Sequence, residues 1–158
     1  MKAKNKKRIK ILGKVFFILY IVFIFYFLLL SDWYGRGQEM KMYHYNFVLF
    51  KEIKRFWNYR EQLGIMAVMS NLLGNVLIFV PFGFFMPIGS RFSIMYRSFL
   101  ATAFYGFGIS LCVELFQLVT KVGSFDVDDL LLNTVGSILG YMLFILCDGI
   151  RRKFSAKR

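Results

Sequence analysis

Residues 66–88 read MAVMSNLLGNVLIFVPFGFFMPI, an uncharged run too long and too apolar for an ordinary water-facing helix. It is read as a membrane span. Two features mark it. Asn71 and Asn75 are one helical turn apart and so share a face. Pro81-Phe82-Gly83 is expected to kink or break the helix in its second half, because proline lacks the amide and clashes with the preceding turn.

Working outward, three further apolar runs cover about 12–30, 98–119 and 130–147. Nineteen residues in the first give roughly 28 Å of helix, enough for the hydrocarbon core. Lys14 inside it can snorkel to the interface. The run ends in Ser31-Asp32-Trp33-Tyr34 without a small-x-small cleavage site, so an uncleaved span is expected rather than a signal peptide. The expected architecture is an all-α integral membrane protein with four transmembrane helices, forming one domain over 1–158. Basic tails occupy about 1–11 and 148–158.

Composition agrees. Of 158 residues, 58% are hydrophobic, 20% aromatic and only 19% charged, and mean hydropathy is +0.54. A soluble domain of this size usually carries nearer a quarter charged residues. Disorder and a disulfide-stapled scaffold are excluded, the latter by a count of two Cys. A net charge of +12 would suggest nucleic acid if it lay on one soluble face. It is clustered instead at Lys2–Lys14 and Arg151–Arg158, flanking apolar runs, and no nucleic-acid motif accompanies it. With both tails and the Arg91–Arg97 turn inside, that side holds 14 of the 21 basic residues. Positive charge concentrates on the cytoplasmic side, so both termini are expected there.

The long outer segment has helical periodicity of its own. Leu49, Phe50, Ile53, Phe56 and Trp57 recur on one face of 47–60, while Lys51, Glu52, Lys54, Arg55, Asn58 and Arg60 fill the other. A short outer interfacial amphipathic helix between the first and second spans is expected, and a cap packed over the bundle is the alternative.

Polar groups within spans are the informative exceptions, since burying them in hydrocarbon is costly. The third span carries Gly106, Ser110 and Glu114 at four-residue spacing, then Gln117. Asp126, Asp128 and Asp129 precede the fourth, which carries Asn133 one turn beyond Asp129. Counted from the outer boundary at about 1.5 Å per residue, Asn71, Asn75, Glu114 and Asn133 fall at similar depth. A polar site in the outer leaflet is one reading. Hydrogen-bond glue is the other, with Asp126 capping the fourth helix, Asp129 completing a capping-box-like pair and Gly136–Gly140 allowing close packing. His44 stands alone in a loop, Cys112 and Cys147 lie in separate spans, and no nucleophile or phosphate-loop motif occurs. No metal and no cofactor is expected. A Mg²⁺ between the Asp trio and a lipid diphosphate is chemically conceivable, but no spacing requires it.

Three stretches together resemble the VanZ-like membrane proteins. They are Asn71-Leu-Leu-Gly-Asn75 with Phe79-Val-Pro81-Phe-Gly83, then Glu114-Leu-Phe-Gln117, and then Phe125-Asp126-Val-Asp128-Asp129-Leu-Leu-Leu-Asn133-Thr-Val-Gly136 with Gly140. Tyr45–Ile53 resembles that family's outer motif more loosely. Two departures stand out: Leu49 where members often have Pro, and Lys121 as the nearest cation where many have Arg before the Asp-rich turn. The resemblance implies a bacterial plasma-membrane protein linked to reduced sensitivity to teicoplanin-type lipoglycopeptides, or a broader envelope role.

Two functions follow. The leading one is a non-enzymatic factor binding an amphiphile in the outer leaflet, either a lipid-linked envelope precursor or a lipoglycopeptide's acyl tail. Candidate ligand residues are Asn71, Asn75, Glu114, Gln117, Lys121, Asp126, Asp128, Asp129 and Asn133, with Lys51, Lys54, Arg55 and Arg60 facing phosphates. The alternative is a membrane enzyme acting on a lipid-linked substrate, with Glu114 as general base and Asp129 as the second catalytic candidate. A homo-oligomer through the Gly136–Gly140 face remains open.

Overall fold

The computed structural model describes residues 11, 15, 17–26, 43–89 and 98–156. Among them are α1 (Phe17–Tyr26), β1 (Tyr45–Asn46), α2 (Lys51–Asn58), α3 (Arg60–Leu63), α4 (Ile65–Gly89), α5 (Phe99–Thr120), β2 (Phe125–Asp126) and α6 (Val127–Ala156). Three helices are long and apolar enough to cross a membrane, over Ile65–Pro87, Phe99–Thr120 and Val127–Phe154. The first expected span, 12–30, lies partly outside the described residues, as do much of both tails and the Arg91–Arg97 turn.

α6 is the central helix, packed mainly on α4 and then on α5. Glycine makes the α4–α6 approach possible. A Cβ added at Gly136 would sit 2.1 Å from the Val76 carbonyl oxygen, and one at Gly140 would sit 2.0 Å from that of Val80. The small-residue face is thus covered by α4 within the chain, as close-packed membrane helices require. It is not the free surface that an oligomer would need.

α1 closes the other side through Ile24, which joins Phe79, Phe82 and Val113 in the buried core. Its Phe17 ring lies 5.9 Å from Phe82. The expected break at Pro81 does not occur, since α4 runs unbroken with Pro81 and Pro87 inside it. Tyr20 of α1 donates its hydroxyl to the Ile78 carbonyl, beside the place where Pro81 interrupts the ladder. A neighbouring helix thereby adds a bond one residue beyond the Leu77 carbonyl, which Pro81 leaves without its usual donor. Outward-facing side chains such as Met66 and Leu100 are 78% and 75% exposed. Such surface suits lipid and not water.

α6 also starts earlier and ends later than its apolar run. Asp148 pairs with Arg151 and with Arg152 at 2.7 Å, the helical i,i+3 and i,i+4 spacings that support a last turn after the apolar residues stop.

Candidate functional site

The polar residues of α4, α5 and α6 converge at the end of the bundle where α2 lies. That convergence begins with how α6 starts. Asp126 caps it, its Oδ1 accepting from the Asp128 amide at 2.8 Å, the usual bond from an N-cap to the second helical residue. The expected capping-box partner is replaced. The Asp126 amide donates to Glu114 Oε2 at 2.9 Å, so the carboxylate comes from α5 instead of from Asp129. Asp129 Oδ1 instead accepts from Asn75 Nδ2 on α4. One turn further along α6, Asn133 Nδ2 donates to Ser110 Oγ at 2.9 Å. Glu114, Gln117, Asp128 and Asn133 are all at most 2% exposed. The Asn133 Oδ1 has no partner among the described residues.

Asp128 turns outward to a different element. α2 begins after Phe50, whose side chain holds no acceptor, so the helix cannot cap itself. The Asp128 carboxylate supplies the cap from 75 to 78 positions away. It accepts from the Phe50 amide, the Glu52 amide at 2.8 Å and the Ile53 amide at 3.2 Å. A carboxylate there also opposes the positive end of the helix dipole.

A second tie lies beside it. β1 and β2 form a two-residue parallel pair, Tyr45 opposite Phe125 and Asn46 opposite Asp126. The Phe125 amide donates to the His44 carbonyl at 3.1 Å, and Asn46 Nδ2 donates to Asp126 Oδ1 at 3.1 Å. Residues 44–58 therefore form a cap fastened to the start of α6 by Asp126 and Asp128. Ile53 and Phe56 of α2 are half-buried and turned inward, while Lys51, Lys54, Arg55 and Trp57 are exposed.

Electrostatics follow from this crowding. Burial pushes the Asp126 carboxyl above the usual carboxylate range, against the Asp128 amide and Asn46, which favour its ionised form. Burial likewise raises Glu52, opposed chiefly by Arg55, whose guanidinium lies 2.6 Å from it.

The three aspartates diverge to Asn46, α2 and Asn75, so they do not share one centre. Asn71 is half-buried one turn from Asn75, and its side chain makes no hydrogen bond among the described residues. Lys121 ends α5 at φ 58°, and its ammonium lies over the Tyr43 ring at 4.6 Å. Cys112 and Cys147 are exposed free thiols on separate helices. A cavity of about 310 Å³ lies elsewhere, lined by Tyr141, Phe144, Ile145, Asp148, Gly149 and Arg152. Sequence reasoning did not single out Asn46 as a site residue. Its signal was local: an Asn two residues before Val48, whose amide it binds at 3.1 Å in an Asx turn.

Residues 17–148 match the family model described as VanZ/LLP1. The chain belongs to this family. Protein VanZ of Enterococcus faecium is 27% identical over 135 residues, covering 85% of this chain and 74% of that protein. No solved structure matches. The stretch that matches VanZ/LLP1 includes α1, the cap and the residues that fasten it to α6.

Proposed function

We propose that the chain is a non-enzymatic factor of the bacterial plasma membrane that binds an amphiphile in the outer leaflet against its cap. Binding of a lipid-linked envelope component, or of a lipoglycopeptide's acyl tail, would lower sensitivity to that class of antibiotic. The observation that carries this reading is the fastening of the cap. Buried carboxylates on α6 hold a segment whose outward face is apolar and cationic, the chemistry that suits an amphiphile at a membrane surface. The family's link to teicoplanin-type lipoglycopeptides supports the antibiotic half. α1 is the described part of a fourth span, α2 lies in the interface, and the termini are cytoplasmic; the basic clusters support that orientation.

The enzyme reading has less support. Glu114 is 2% exposed and already accepts from the Asp126 amide, which suits a fastening better than a general base facing substrate. Asp129 likewise receives Asn75.

The test is antibiotic susceptibility of cells carrying Asp128→Ala, with membrane abundance measured alongside. Loss of protection at normal abundance is expected, because the cap loses its N-terminal acceptor. Full protection from a protein with a released cap would overturn the proposal.

A further inference from the structure

Phe47-Val48-Leu49-Phe50 is an apolar turn that faces outward, its four residues 66, 62, 50 and 45% exposed. An exposed turn needs little to hold it, yet this one is held at every step. Asn46 bonds both the Val48 amide, at 3.1 Å, and the Val48 carbonyl, at 3.2 Å. The Phe47 ring lies 5.2 Å from Phe125, and Asp128 accepts the Phe50 amide. Phe50 adopts a left-handed φ of 63°, a strained conformation for a side chain of this size. Fixing apolar side chains in an exposed, strained turn lowers the ordering cost of a later contact.

The cations beside the turn are not equivalent. Arg55 is tied to Glu52 and lies over Phe56 at 5.1 Å. Arg60 donates to the Trp57 carbonyl at 2.9 Å and lies over the Trp57 ring at 5.2 Å. Lys51 and Lys54 are exposed and about one turn apart. Their amides bond the Val48 and Phe50 carbonyls, while their ammonium groups make no hydrogen bond or close ion pair among the described residues, Lys51 only lending its charge to Glu52. The α2 N-terminus, otherwise suited to an anion, is already occupied by Asp128.

We infer that the Phe47–Phe50 turn is a preformed wedge for the chain region of an anionic phospholipid, whose phosphate is held by Lys51 and Lys54. The occupant is a lipid of the adjoining leaflet for two reasons. Asp128, in the first turn of the apolar helix α6, bonds the Phe50 amide, which keeps the turn near that leaflet's boundary. The paired exposed ammonium groups complement a lipid head group of net negative charge. This inference rests on the cap being the amphiphile surface, and it names the ligand class.

The experiment is native mass spectrometry of the delipidated full chain in detergent, titrated with phosphatidylglycerol, phosphatidylcholine or inorganic phosphate. Unmodified protein should prefer phosphatidylglycerol. The double variant K51Q/K54Q should lose about thirtyfold in affinity for it, from ~1 kcal/mol per lysine near an anionic head group, while phosphatidylcholine, whose choline ammonium balances its phosphate, loses much less. R55Q/R60Q should lose less than about threefold, since those guanidiniums are already engaged. F47S/L49S should weaken both lipids. Equal affinity for the two lipids, or an equal loss in the arginine variant, would overturn the inference. So would inorganic phosphate competing as well as lipid. Susceptibility of cells carrying K51Q/K54Q separates the two readings. If lipid affinity falls but protection persists, the proposed function fails and the lipid site stands. If lipid affinity is unchanged, the lipid site fails whatever the cells do.

Discussion

Asp128 accepts amides that α2 cannot satisfy itself, and few side chains could replace it. Asn keeps the shape but turns an NH₂ toward backbone donors, so Asp128→Asn should destabilise the cap by about 1.5–3 kcal/mol, the range for bonds to a charged group. Chemical denaturation of the purified protein, followed by Trp57 fluorescence, measures it. Glu114 provides the contrasting case. Glu114→Gln retains an acceptor for the Asp126 amide and should preserve both abundance and protection against antibiotic. A catalytic base would not survive that change, so loss of activity at normal abundance would restore the enzyme reading. Phe50→Gly should relieve about 1–2 kcal/mol of left-handed strain, partly offset by the flexibility that glycine adds to the unfolded chain. A melting temperature that rises while phosphatidylglycerol affinity falls would separate strain from binding at this position.

Asp126 supplies the pH dependence. Its folded pKa is raised, so folding favours the protonated form. That stability is fully present below the ordinary carboxylate range and is lost as pH rises through the raised value. Glu52 acts in the same direction. The charged groups around Asp126 include Asp128 and Arg55, with Glu114 bonded to its amide. Thermal unfolding should therefore show a firmer protein at mildly acid than at neutral pH, with a smaller slope in Asp126→Asn. An unchanged slope would remove Asp126 as its source.

At the scale of elements, α4 and α6 depend on close backbone approach. Gly136→Ala places a methyl 2.1 Å from the Val76 oxygen and should cost about 1–3 kcal/mol or more through forced separation. Leu139→Ala, on the exposed side of the same helix, should change little in membrane abundance. The second and third expected spans were legible because a long run with at most one charge has few alternatives: 66–88 became Ile65–Gly89, and 98–119 became Phe99–Thr120. The fourth was less so, since hydropathy stops near Cys147 while the Asp148–Arg152 pair carries the helix onward. Pro81 differed for a related reason. Local rules allow a kink or a break there; α4 runs helical through it, with Tyr20 bonded to the nearby Ile78 carbonyl from 58 positions away.

For the whole molecule, convergence of polar residues at one end was readable from depth along each span. Their partners were not. Nothing local indicates that Asp126 would take Asn46, or that Asp128 would cap the amphipathic helix, because those pairings depend on tertiary placement. The two-residue β1–β2 pair is too short to leave an alternating pattern. Orientation remains a matter of charge, and cysteine labelling checks it. Cysteines at Lys41 and Lys121 should react with an impermeant thiol reagent in intact cells, and those at Arg91 and Lys157 should not. The reverse pattern would place the cap on the cytoplasmic side.

α6 holds the cap through Asp128. Hydrogen exchange of the membrane-embedded protein tests this directly, comparing the Glu52 and Ile53 amides in the unmodified chain and in Asp128→Ala. Faster exchange confined to residues 46–56, with α4, α5 and the body of α6 unchanged, is the predicted result. Equal protection of those two amides in both proteins would contradict it.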